Sequence, residues 1–154
     1  MEVQVKSPAF SEGDSIPDKY TCNGDGMSPP IQWDVPGDNV QSFAVICEDP
    51  DAPTGVFTHW VVYDLPPDVH ELSERVPNED KLPNGGVHGV NSIHKTGYLG
   101  MCPPKGTHRY YFKVFALDKK LDLAPGAGKK KVEDAMQGHI VGEGELMGTY
   151  ARNR

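Results

Sequence analysis

No stretch of this 154-residue sequence stays apolar for the ~18–20 residues that a membrane-spanning helix needs, so stable membrane insertion is not expected. A signal-peptide pattern is also lacking: Met1-Glu2-Val3-Gln4-Val5-Lys6-Ser7 has a carboxylate where a basic end and then an apolar stretch would stand. Positive charge is scarce. Fifteen Lys and Arg face 22 Asp and Glu, a formal net charge of −7. Such a surface repels a phosphate backbone, which excludes nucleic acid as a partner, and it disfavours anionic membranes. The one basic run, Lys129-Lys130-Lys131, reads as a solvated patch. Cysteine is rare and odd in number: Cys22, Cys47 and Cys102 form neither a disulfide framework nor a Cys-x-x-Cys zinc pair. Cys47 lies within an apolar run and reads as a buried thiol. Together these absences predict a cytoplasmic protein.

What the chain has in quantity is turn punctuation. Its 17 glycines and 14 prolines are spread evenly rather than gathered into a linker, so residues 1–154 are expected to form a single domain without repeats. Between these breaks lie apolar and β-branched runs. The clearest strands are Phe43 to Asp49, Trp60 to Leu65 and Tyr110 to Leu117. In the last, Tyr110, Phe112, Val114 and Ala116 alternate with Tyr111, Phe115 and Leu117, interrupted by Lys113 alone. That pattern predicts a strand covered on both faces, in the middle of a sheet. Shorter strands are expected at Val3 to Lys6 and Glu145 to Tyr150. One helix is expected from Lys130 to Ile140, with Val132, Ala135, Met136 and Ile140 at near-helical spacing and Gly128 a weak cap. The fold class is mainly β, a β-sandwich with one or two short helices.

Polar residues gather at strand ends. Asp49 closes one strand and His59 opens the next, so an antiparallel hairpin would bring them to the same end of the sheet, across a loop stiffened by Pro50 and Pro53. A second Gly- and Pro-rich loop, Gly97 to Gly106, feeds the strand at whose mouth His108 stands. Period-2 alternation sends His108 and Tyr110 to one face and Arg109 to the other. Asp49, His59, His108 and Tyr110 then line one small anion-accepting pocket. The histidines would donate to the anion when protonated, Tyr110 would add its hydroxyl, and Asp49 would orient a histidine or, if protonated, donate. His108, at a strand mouth, is expected to make few core contacts. Arg109 and Asp51 read as partners bracing the loops, and His70, His88, His94 and His139 as background.

Two other chemistries fit the same residue types. Cys102 with His59 or His108 would make a Cys–His hydrolase, although no third group that orients the histidine stands out. Two histidines and a carboxylate also match an open zinc or non-haem iron site. A calcium loop starting at Asp49 fails on count, with Thr54 at its sixth position and Trp60 at its twelfth.

Several blocks in order resemble the phosphatidylethanolamine-binding protein family, which includes the Raf-kinase-inhibitor-like proteins of bacteria and archaea. They are Tyr20-Thr-Cys-Asn-Gly24 with Ser28-Pro29-Pro30-Ile31-Gln32-Trp33; Asp49-Pro-Asp-Ala-Pro53 with His59-Trp60; Gly97-Tyr98 with Pro103-Pro104-Lys-Gly and His108-Arg109-Tyr110; and Glu145 to Tyr150. The resemblance spans nearly the whole chain. It implies a sandwich of two antiparallel sheets and a ligand site of Asp49, Pro53, His59, Pro103, Pro104, His108 and Tyr110, with Tyr98 and Cys102 on its rim. In the family this pocket accepts phosphate and the phosphoethanolamine head group, without metal or cofactor and without established chemistry, so the expected function is non-enzymatic ligand binding. Inhibition of a serine protease or a kinase through the pocket loops is the alternative the family suggests, and a homodimer fits its prokaryotic members. Two departures stand out. Met101 replaces a proline usual in this loop, which predicts a looser, more apolar rim. The Thr54 to Thr58 loop is shorter than in the animal members, so Raf binding is not carried over.

Overall fold

A computed structural model describes residues 2–35 and 37–151. The strands are β1 (Val5–Lys6), β2 (Ile31–Trp33), β3 (Ser42–Asp49), β4 (Phe57–Leu65), β5 (Glu71–Leu72), β6 (Val87–His88), β7 (Thr107–Leu117) and β8 (Ile140–Ala151); one α-helix, α1, spans Lys129–Met136, and a single 3-10 turn spans Asp18–Tyr20. They form two antiparallel sheets, ordered β1-β2-β5 and β6-β4-β3-β7-β8. The mainly β, two-sheet expectation is met. Among the described residues no helix is long and apolar enough to cross a membrane.

The large sheet has a core on each face, because side chains alternate along its central strands. Phe43, Val45 and Cys47 of β3 join Phe112, Val114 and Ala116 of β7 in the core under the small sheet, with Ile31, Trp33 and Leu72 opposite. Ala44, Ile46, Val61, Tyr63 and Leu117 form the second core, which Val132 and Met136 of α1 cover. Burying a large side chain such as Phe43 or Phe112 stabilises the fold by roughly 2–3 kcal/mol. Double coverage is most complete on β3, buried along its whole length. β7 is central as expected, but its Tyr111–Lys113–Phe115 face is only half-buried.

Helix α1 starts after Gly128 without a side-chain cap, and it ends before Gly138 (φ 81°), where the left-handed backbone breaks the helix. Ile140 therefore opens β8 and is partly exposed, rather than closing the helix face. Lys129 is not merely solvated: its Nζ lies 3.1 Å from Oε2 of the buried Glu48, which also meets Lys113 at 3.2 Å. Edge strand β8 is shielded by the N-terminal segment, where Val3 N–H donates to the Glu143 carbonyl and Ile16 N–H to that of Thr149.

The cysteine expectation is overturned. Cys22 and Cys102, 80 residues apart, form a disulfide with a Cα–Cα distance of 5.4 Å. Sequence spacing could not show this, since only the fold brings the two loops together. Cys47 alone is free, and it is buried as expected. The argument for a reducing compartment loses its footing for Cys22 and Cys102.

Candidate functional site

β3 and β4 pair as the expected hairpin, with Asp49 opposite Phe57. The register slips between Cys47↔Trp60 and Glu48↔Thr58, leaving His59 as an extra, unpaired residue. Strict alternation would send His59 to the face opposite Trp60. The bulge re-aims it, so that both side chains reach the inter-sheet side. The His59 ring lies edge-on to Tyr110 with centroids 5.4 Å apart, while Trp60 packs against Tyr98 at 5.5 Å. His108 and Tyr110 share a face of β7, as period 2 predicts, with ring centroids 6.4 Å apart.

The resulting cleft has a volume of about 250 Å³. Asp49, Pro53, His59, Cys102, Pro103, Pro104, His108 and Tyr110, all expected from the sequence, line it. Ala52, Phe57, Leu99 and Gly100 complete the wall and were not anticipated. The apolar Phe57 and Leu99 directly flank the loop and bulge that carry the site, which was the signal available. Tyr98 does not reach the cleft: it is buried, and its hydroxyl donates to the Tyr20 carbonyl at 2.7 Å and lies 2.8 Å from Met101 Sδ. Met101 is likewise fully buried, so it neither loosens nor lines the rim.

Asp49 is the hub. Its Oδ2 accepts the His108 Nδ1–H at 2.7 Å, and its Oδ1 accepts the Asp51 backbone N–H, also at 2.7 Å. Both side chains of the Asp49–His108 pair are at least nine-tenths buried, so His108 is part of the interior rather than a loosely attached strand end. Asp51 in turn receives Arg109 Nε–H at 2.9 Å, Nη2–H at 2.8 Å and backbone N–H at 2.9 Å. The Arg109 guanidinium holds the Asp51 carboxyl down at about 2. These two residues brace the loop, as their strand parity suggested.

His59 differs from its expected role. Its Nδ1–H donates to the Leu99 carbonyl at 2.8 Å, and Leu99 N–H donates to the His59 carbonyl at 2.9 Å. Burial pushes its pKa below the ordinary histidine value, against the pull of the Leu99 carbonyl and Asp49. The neutral ring therefore leaves Nε2 as an acceptor, not a cation. Tyr110 is held in its phenol form by burial and by Asp49, and its hydroxyl has no hydrogen-bond partner among the described residues.

His88, set aside in the sequence, is a fully buried structural residue. Its Nδ1–H donates to the Glu79 carbonyl at 2.6 Å and its Nε2 accepts Trp60 Nε1–H at 3.0 Å. The hydrolase reading loses its nucleophile, because Cys102 Sγ is bonded to Cys22. Among the described residues no cluster of three or more His, Cys, Asp or Glu has metal-binding geometry.

A phosphatidylethanolamine-binding protein family model matches residues 6–151. A UPF0098 protein of Methanothermobacter thermautotrophicus is 50% identical over 97% of this chain and 99% of its own length. One from Pyrococcus horikoshii is 44% identical, over 99% of this chain and 78% of its own. Among solved structures, a phosphatidylethanolamine-binding protein homolog from Chlamydia trachomatis superposes with TM-score 0.91 at 40% identity, covering 99% of both chains. YbcL of E. coli, described as a member of the mammalian PEBP family, gives 0.90 at 30% identity, covering 99% of this chain and 100% of its own. The chain belongs to the phosphatidylethanolamine-binding protein family.

Proposed function

We propose that this member of the phosphatidylethanolamine-binding protein family is a non-enzymatic binding protein whose cleft takes phosphate or a phosphorylated head group such as phosphoethanolamine. The observation that carries this reading is the Asp49–His108 pair beside Tyr110 in a mostly apolar cleft. Asp49 engages Nδ1, so a protonated His108 has only its Nε2–H to offer a ligand oxygen. The Tyr110 hydroxyl is a second donor. The His59 Nε2 lone pair suits a hydroxyl or ammonium on the same ligand, and the prolines supply rigid walls. Among the described residues no lysine or arginine lines the cleft, which favours a singly charged oxyanion over a dianion. With Cys102 in a disulfide, the site offers binding groups but no activated nucleophile.

Calorimetry with phosphoethanolamine on the parent protein and on Tyr110→Phe tests the reading. The parent should bind, and the variant, which lacks the hydroxyl donor, should bind more weakly. No binding by the parent, or equal affinity in both, would refute it.

The second reading, inhibition of a serine protease or kinase by the cleft loops, is favoured by one observation: the bidentate Arg109–Asp51 clamp preorganises the loop that ends in exposed Thr54-Gly55-Val56. A panel of proteases and kinases unaffected by micromolar protein would remove it. A cytoplasmic location and a homodimer are proposals of the same standing, tested by fractionation of the source cells and by sedimentation equilibrium.

A further inference from the structure

The Cys22–Cys102 disulfide joins two segments that are held very differently. On the Cys22 side, the loop is fastened at many points. Thr21 Oγ1–H donates to the Asp18 carbonyl at 2.8 Å, Gly24 N–H to that of Thr21 and Gly26 N–H to that of Lys19. Asn23 Nδ2–H donates to the Tyr150 hydroxyl, which itself donates to Asp18 Oδ1, both at 2.6 Å. The Cys22 segment is thereby locked to the end of β8, where Tyr150 sits opposite His108.

The other side is the cleft wall. Met101 is secured, since its carbonyl accepts Cys22 N–H at 3.0 Å. From Cys102 to Gly106, no hydrogen bond forms among the described residues before β7 begins at Thr107. Pro103 and Pro104 lack the N–H that could form one. This stretch contributes Cys102, Pro103 and Pro104 to the cleft. The disulfide is thus its one covalent tether to the anchored loop.

Both half-cystines are solvent-exposed, whereas the third cysteine, Cys47, is buried with its thiol pKa pushed up by burial. An external thiolate can reach either sulfur, and exposed disulfides are the labile, regulatory class. We propose that the Cys22–Cys102 bond is a thiol–disulfide exchange site whose redox state sets the rigidity of the cleft wall. A dithiol reductant supplies two electrons and two protons: its thiolate attacks one sulfur, a mixed disulfide forms, and its second thiol releases two cysteine thiols and the oxidised reductant. Reduction frees residues 102–106 and opens the cleft; oxidation restores it. The effect on ligand affinity rests on the function proposed above, but the effect on the wall does not.

The test compares oxidised protein, protein reduced with dithiothreitol, and Cys22→Ser. Peptide mapping reports the bond, amide hydrogen exchange reports residues 97–107, and calorimetry with phosphoethanolamine reports the cleft. The expected result is reduction under native conditions with Cys47 unalkylated. Exchange at Leu99, whose N–H donates to the His59 carbonyl across the cleft wall, should be about tenfold faster and affinity about tenfold weaker, both reversed on reoxidation, with Cys22→Ser behaving as reduced protein throughout. A bond that resists dithiothreitol in the folded protein, unchanged exchange in the wall, or faster exchange across the whole chain would each overturn the proposal. Faster wall exchange with phosphoethanolamine binding to neither form would uphold the exchange site and sink the ligand reading instead.

Discussion

His59 and Leu99 hydrogen-bond each other twice, ring Nδ1–H to carbonyl at 2.8 Å and backbone N–H to carbonyl at 2.9 Å. This pairing joins the bulge of β4 to the 97–106 loop and decides the tautomer of His59. A histidine that sequence alone makes a cationic donor becomes a neutral acceptor.

That assignment is open to titration. Burial lowers the pKa of both His59 and His88 in the folded state. A group with a depressed folded pKa binds more protons when unfolded, so its contribution to stability is complete above the unfolded value near ~6.5 and shrinks as pH falls below it. Two-dimensional NMR should show both rings titrating below 6.5, with Nδ1 protonated in the neutral form. Denaturation midpoints should decline as pH drops from 6.5 toward 5. A His59 that titrates above 6.5 would contradict the geometry.

His108→Ala should abolish phosphoethanolamine binding, and it should also cost stability. It leaves the Asp49 carboxylate buried with one partner lost, a penalty of about 1–3 kcal/mol. His108→Ala combined with Asp49→Ala should cost less than the sum of the two single changes. Strict additivity in urea unfolding would mean that the pair is not coupled.

Asp51→Ala should remove the clamp on the 50–56 loop. The carboxyl sits at about 2 in the fold, so its contribution is present above the unfolded value near ~3.9 and is lost as pH falls toward 2. Because Arg109 is half-exposed, solvent screening holds the effect to roughly 0.5–1 kcal/mol. The variant and the parent should therefore converge in stability near pH 2, which acid-dependent urea unfolding would check.

Gly144→Ala tests the shielding of β8. A Cβ there would collide with the Val3 carbonyl, so the N-terminal segment must move away from the edge. A loss of about 1–3 kcal/mol is expected, with faster amide exchange at residues 3–6. Unchanged protection of Val3, whose N–H donates to the Glu143 carbonyl, would argue that the segment does not depend on this close approach.

Much of the fold was readable because long central strands carry a strong periodic signal. Phe43 to Asp49 and Tyr110 to Leu117 were visible as apolar runs, and alternation along the second separates Tyr110, Phe112, Val114 and Ala116, in the core under the small sheet, from Leu117 in the other. The two- and three-residue strands β1, β2, β5 and β6 carry too little periodicity to stand out, and among them only β1 was anticipated. The helix boundary slipped because Ile140 fits a helical face by spacing, while the left-handed Gly138 ends the helix two residues earlier.

Local alternation and turn chemistry act between neighbours, and so the sequence by itself determined the hairpin, the shared face of His108 and Tyr110, and the strand-end position of Asp49. Contacts between distant segments depend on how the sheets and loops close over one another. Only the tertiary structure therefore decided that His59 is bulged inward and bonded to Leu99, that Tyr98 turns toward Tyr20, that His88 holds Trp60, and that Cys22 meets Cys102. Each of these depends on a through-space approach that no spacing along the chain encodes.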